Sequence, residues 1–281
     1  SSDLTSVVYG AGSSITVSLT GGSGTGSISF ATSSANCVVN ASTGVVTYTN
    51  VGDCVITATK AGDIDYADAT ASVTITVTKA NQAALTATLS KASTTYANGD
   101  SITASYTGGS GTGAVNYSTS SSACSVDAST GAVTVLTGGS CVITVTIAAD
   151  GNYNSASATV TLTVAKAAQA SASASADNAS VTYGDGTVIT VSFSGGSGSG
   201  AVSFSTSSSA CSVDSTTGVV TVVSGGTCVV TATKASDSSY LATSANATIT
   251  IAKTSQAAFN GSSSSNTTYG SATVVTISGT G

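Results

Sequence analysis

Six cysteines are the residues of this chain best equipped for chemistry: Cys37, Cys54, Cys124, Cys141, Cys211 and Cys228. They fall in couples 17 residues apart, and each couple recurs 87 residues further on. Thiols can ligate a metal, act as nucleophiles, or join as disulfides. Zinc sites draw on Cys-x-x-Cys clusters and His ligands, and the chain has no His and no such cluster. A catalytic thiolate or a Ser triad needs a neighbouring base, usually His, so an enzyme is not expected. Six cysteines allow 15 pairings in principle, and the repeat leaves two. Cys37–Cys54, Cys124–Cys141 and Cys211–Cys228 would close within repeats; Cys54–Cys124 and Cys141–Cys211 would join neighbours.

Other side chains invite a chemical reading less strongly. Asp63, Asp65 and Asp68 could offer carboxylate oxygens to Ca²⁺. One period later, however, stand Asp150, Asn152 and Asn154, Asp with Asn around it, and then Asp237, Ser238 and Ser239. The ligand count falls away, which favours a polar loop, with the adjoining Tyr66, Tyr153 and Tyr240 packing it against its own domain. The loops Gly21 to Gly26, Gly108 to Gly113 and Gly195 to Gly200 resemble phosphate cradles, but a P-loop needs a Lys and a following helix. Here a strand pattern follows and the loops hold no Lys. Lys79, Lys166 and Lys253 recur at strand ends. A Lys–Asn isopeptide bond would need a buried carboxylate beside them, and no Glu and no recurring core Asp supplies one. Asn40, Asn116, Asn178, Asn246, Asn260 and Asn266 satisfy the Asn-x-Ser/Thr acceptor pattern, which arises readily by chance in a Ser/Thr-rich chain.

The elements that position these residues repeat every 87 residues without insertion. Tyr9, Tyr96 and Tyr183 keep the step, as do Gln82, Gln169 and Gln256. A fixed period of this size marks an array of similar modules. Apolar residues alternate within each: Ile15, Val17 and Leu19; Ile28 and Phe30; Ile56 and Ala58; Val73, Ile75 and Val77. This is the period-2 pattern of half-buried strands, and no stretch shows helical periodicity. With a strand at Leu85 to Leu89, the expectation is about seven strands per 87-residue repeat. The fold class is then all-β: tandem immunoglobulin-like antiparallel β-sandwiches. In that topology the strands starting at Cys37 and Cys54 set off from the same pole, which selects pairing within repeats. Each closed loop contributes roughly 3 kcal/mol in the chain-entropy model, and regular disulfides suit an oxidising, extracellular setting.

Composition narrows the function classes. Only 6% of the 281 residues are charged, with six Lys against twelve Asp for a net charge of −6. Arg, Glu, Pro, Met and Trp are absent along with His. So few cations cannot line a phosphate-binding face, which argues against nucleic acid. No apolar run approaches about 18 residues, and no basic-then-apolar leader opens this segment. A hydrophobic share of 41%, rich in Val and Ile, argues against disorder.

The recurring order of motifs is a Tyr-Gly start, the GGSGTG loop, Cys-x-Val with an STGxVT turn, then GxCxITATKAGDxDY and ASVTITVTKANQA. It resembles the bacterial Ig-like repeats found in tandem in very large secreted and cell-surface proteins. That resemblance implies a stalk, spacer or fibre shaft. The expected organisation is residues 1–80, lacking most of the first strand, then 81–167, 168–254, and the start of a further repeat at 255–281. The segment reads as a window cut from something longer, its last strands running almost directly into the next repeats. Strands of about eight residues at roughly 3.3 Å each make a rod on the order of 100 Å. The expected partners are neighbouring repeats of the same chain, with no cofactor, metal or membrane insertion in this segment. The competing expectation is an adhesive or self-associating module. Its sparsely charged edges favour filaments, with Gln256 to Tyr269 completing the repeat at Ser1.

Overall fold

The computed structural model describes residues 5–12, 14–258 and 269. The chain divides into two compact units, residues 1–165 and 166–281. The first carries two of the 87-residue repeats and the second carries one.

The first repeat contains β1 (Ser6–Val8), β2 (Ile15–Thr16), β3 (Ile28–Thr32), β4 (Cys37–Val39), β5 (Val45–Tyr48), β6 (Gly52–Lys60) and β7 (Ala69–Thr78). The second contains β8 (Thr86–Leu89), β9 (Ser93–Thr95), β10 (Ile102–Thr107), β11 (Val115–Thr119), β12 (Cys124–Val126), β13 (Ala132–Val135), β14 (Gly139–Ile147) and β15 (Ala156–Ala165). The third repeats that plan as β16 (Ala172–Ala176), β17 (Ser180–Thr182), β18 (Ile189–Gly195), β19 (Val202–Thr206), β20 (Cys211–Val213), β21 (Val219–Val222), β22 (Gly226–Lys234) and β23 (Thr243–Ala252).

All three are immunoglobulin-like two-sheet sandwiches. In the second repeat one sheet runs β12-β13-β10-β8 and the other β11-β14-β15-β9. The third keeps the same orders, β16-β18-β21-β20 and β17-β23-β22-β19. The first strand is therefore split. β8 pairs antiparallel with β10, after which the chain crosses sheets and β9 pairs parallel with β15. Eight strands per complete repeat is one more than the alternation predicts, because Ser93–Thr95 carries one inward side chain, too few to display a period.

The alternation does position the core. Ile143, Val145 and Leu162 are fully buried in the second repeat, and Ile56 and Ile75 in the first. Val230, Ala232 and Ile249 are their counterparts in the third. Each repeat has its own hydrophobic cluster. The long hairpins β6–β7, β14–β15 and β22–β23 pair over nine residues each, with mainly Thr and Ser outward and Ile, Val, Leu, Ala and Cys inward.

Cys37 bonds Cys54, Cys124 bonds Cys141, and Cys211 bonds Cys228, all with Cα atoms 5.8 Å apart. Cys124 opens β12 in one sheet and Cys141 lies in β14 of the other, so each bond staples sheet to sheet through the buried interior. The sulfurs are thus core groups, where the sequence argument placed them simply at one pole.

The strand-to-strand passages are longer than expected. Residues 79–85 separate β7 from β8, and 166–171 separate β15 from β16. Ala80 donates to the Asn152 carbonyl at 3.0 Å and accepts from the Asn154 amide at 2.8 Å. Ala167 does the same with Ser239 and Leu241, both at 2.9 Å. These connectors lie along a loop of the repeat they enter before the next strand begins.

Candidate functional site

One pole of each sandwich gathers most of the polar side chains singled out from sequence. There the Gly-rich loop and the Asp loop meet, joined in the second and third repeats by the incoming connector. The Asp loop follows β6, β14 or β22, and its first Asp accepts from the amides two and three residues on, which folds the loop back on itself.

Asp150 organises this pole in the second repeat. Its Oδ2 accepts from the Thr112 amide at 2.6 Å, and its Oδ1 from the amides of Asn152 and Tyr153 at 2.9 and 2.8 Å. Asp63 does this with Thr25, Asp65 and Tyr66, and Asp237 with Ser199, Ser239 and Tyr240. Amide donors favour the charged carboxylate. The Thr25 amide foremost holds Asp63 at a pKa of about 2, and the Ser199 amide holds Asp237 at about 2. Asp150 is lowered chiefly by the Thr112 amide.

This arrangement redirects two chemical readings. The glycine-loop amides that would cradle a phosphate donate instead to the chain's own carboxylate. The Asp63 oxygens that would face a cation are bonded to loop amides, and an Asp68 oxygen accepts from the Gly62 amide at 2.6 Å. Among the described residues no three His, Cys, Asp or Glu side chains converge as a metal-binding group.

In the second repeat the tyrosine of this loop reaches beyond its own sandwich, which the packing expectation did not include. Tyr153 meets Tyr9 of the preceding repeat edge-on, ring centres 5.6 Å apart. Beside it the Val51 amide of that repeat donates to Asn152 Oδ1 at 3.0 Å. Tyr66, its counterpart in the first repeat, is 52% exposed, and its neighbour Ile64 98%. The lysines Lys79, Lys166 and Lys253 are exposed outside the cores. Asn40, Asn116, Asn178 and Asn246 are exposed as well, while Asn260 and Asn266 lie outside the described residues. Asn40 Oδ1 also accepts from the Ser42 and Thr43 amides, and Asp127 and Asp214 brace the same turn in the later repeats.

Sequence reasoning missed the role of the periodic glutamine. Gln82 Oε1 accepts from the Ser110 and Gly111 amides, both at 3.2 Å, and its Nε2 donates to the Asn154 carbonyl at 3.0 Å. Gln169 bonds the Gly198 amide at 3.3 Å and the Leu241 carbonyl at 2.8 Å. The signal was its strict recurrence just ahead of each repeat.

A further polar cluster belongs to the second repeat alone. Asp100 accepts from Lys91, from Thr94 Oγ1 at 2.6 Å and from Asn98 Nδ2 at 2.9 Å. These bonds, led by that from Lys91, hold its pKa well below the usual carboxylate range. It lines a surface hollow of about 400 Å³ with Tyr96 and Val133, but its oxygens are already engaged by the loop around it.

No family model matches the chain, and no curated protein matches it. Among solved structures it is similar to Drosophila N-cadherin EC1-3 at 13% identity, covering 84% of this chain and 92% of that one with a TM-score of 0.32. It is also similar to mouse protocadherin-24 EC1-3 at 15% identity, covering 90% and 98%, with a TM-score of 0.31.

Proposed function

We propose that this chain is a structural spacer of an extracellular protein, a stalk or fibre shaft made of stapled Ig-like modules with borders near residues 80 and 167. The observation that carries this reading is the connector. Ala80 with Gln82, and Ala167 with Gln169, hydrogen-bond into the repeat they enter, so each module is joined to its predecessor by a short, tied segment. The polar poles serve their own loops, and the disulfides suit an oxidising exterior. The test is small-angle scattering of the whole chain. A maximum dimension on the order of 100 Å supports a spacer; a globular profile of one compact particle would sink it.

Self-association is a second reading, favoured by edge strands such as β8 and β16 that carry no charged residue.

A further inference from the structure

The second repeat receives the chain at one pole and releases it at the other. Ala80 and Gln82 tie the incoming connector at the Asp-loop pole, and β15 runs from Ala156 at that pole to Ala165 at the opposite one. Tension along the chain therefore draws β8 and β9 one way and the end of β15 the other. β9 lies parallel to β15, with Ser93 beside Thr163, Thr94 beside Val164 and Thr95 beside Ala165. The Thr163 amide donates to the Ala92 carbonyl at 3.0 Å, and the Tyr96 amide to the Ala165 carbonyl at 2.9 Å. Such bonds lie across the direction of pull, so they share the load and yield together. The pairs β1 with β7 and β17 with β23 keep this arrangement in the other repeats.

The second repeat adds a lock to this pair. Asp100, just ahead of β10, accepts from Lys91 before β9, from Thr94 Oγ1 within it at 2.6 Å and from Asn98 Nδ2 after it at 2.9 Å. The Asp100 side chain is 17% exposed and Thr94 is buried, so water competes little for these charge-assisted bonds. One period away Leu4 and Asn178 replace the lysine, Val7 and Val181 the threonine, and Ser13 and Thr187 the aspartate. Asp185 of the third repeat accepts from the amides of Thr182 and Thr187, bracing its own turn without a cation. The backbone carries the same message. Ala97 has a φ of 58°, where the other repeats place Gly10 and Gly184. A side chain in that left-handed region persists only where its surroundings fix the loop.

We propose that Asp100 makes the second repeat the strongest link of this chain under tension, latching β9 so that it slides past β15 only after Lys91 and Thr94 let go. The carboxylate passes load from Lys91 straight to the start of β10, around the three-residue strand. The other two repeats, without this latch, unfold first and release chain while the second holds. This adds a load-bearing task to the spacer reading and rests on it.

The test is constant-force stretching of the full chain, disulfides intact, between two surface handles. Three unfolding steps are expected, the longest-lived belonging to the second repeat. Cys124→Ala with Cys141→Ala identifies that step. The span of 17 residues between them is then no longer held closed, and the step lengthens by about 50 Å. Asp100→Ser should shorten its lifetime at fixed force about tenfold, because forced unfolding follows the barrier and the latch breaks in crossing it. Thr94→Val, the side chain that both other repeats carry there, should lose part of the same lifetime. Gly113→Ala lies outside the latch and should lower the urea midpoint without altering that lifetime, which separates load bearing from a general loss of stability. A lengthened step that comes earlier than another, or a lifetime indifferent to Asp100→Ser, overturns the latch and leaves the spacer standing. A compact scattering profile overturns the spacer reading whatever the force traces show.

Discussion

Asp150 accepts the amide hydrogen of Thr112 at 2.6 Å across 38 residues of chain, and in doing so fastens the Gly-rich loop of its repeat to the loop after β14. The same carboxylate caps its own turn through Tyr153 at 2.8 Å. One side chain therefore fixes the surface on which the preceding repeat rests.

Replacing Asp150 with Ala should lower the melting temperature of the second repeat by a few degrees and loosen its contact with the first. Asp150→Asn keeps an acceptor without the charge and should recover part of the loss. Calorimetry reads the first effect. The second appears as faster hydrogen exchange at the Val51 amide, which bonds Asn152.

Acid should weaken the fold in a defined window. Asp63 and Asp237 have folded pKa values of about 2 against an ordinary value of 3.8. A depressed carboxylate contributes stability above its unfolded pKa and loses it as pH falls through the folded one. Urea midpoints should therefore be flat down to about pH 4 and decline between pH 4 and pH 2. A midpoint that instead rises in that window would contradict the loop geometry.

The disulfides make a sharp statement about mass. Trypsin cuts after Lys60, Lys91, Lys166 and Lys234, so both cysteines of every couple fall in one peptide. Non-reducing digestion should yield no crosslinked peptide pairs, only cysteine peptides two hydrogens lighter than their reduced forms. Cys124→Ala with Cys141→Ala should cost the second repeat roughly 3 kcal/mol, seen as an early separate transition in thermal melting.

Gly113 carries a sharp constraint. A Cβ there would run into the Ala148 carbonyl, at the end of the β11–β14 pairing where Ala148 also donates to the Ala114 carbonyl at 2.9 Å. Gly113→Ala should destabilise the second repeat by about 1–3 kcal/mol, the usual cost of overpacking, measurable as a shifted urea midpoint.

Calcium should leave the protein unchanged. The oxygens of Asp63 are held by loop amides, and its counterparts Asp150 and Asp237 have Asn or Ser for neighbours. Melting curves recorded with millimolar calcium and with a chelator should superimpose; a rise of several degrees with calcium would restore the metal reading of this loop.

Much of the fold was legible in the chain itself. The period is written in Cys37, Cys124 and Cys211, and the strands in the alternation of Val73, Ile75 and Val77, because a pleated strand sends every second side chain to the core. Repeat symmetry also reduced the cysteine pairings to two. What folding alone decided lies where long-range geometry outweighs local pattern. Ser93–Thr95 crosses to the other sheet because β15 offers a free edge, which no local signal announces. Asp63 turns to loop amides instead of a cation because Thr25, 38 residues earlier, is brought to hydrogen-bonding distance. Gln82 recurs at a fixed step, yet its task exists only once the Gly-rich loop of Gly108 to Gly113 folds beneath it. Those contacts join residues far apart in sequence, and a one-dimensional pattern records which residues are present but not which of them the sheets bring together.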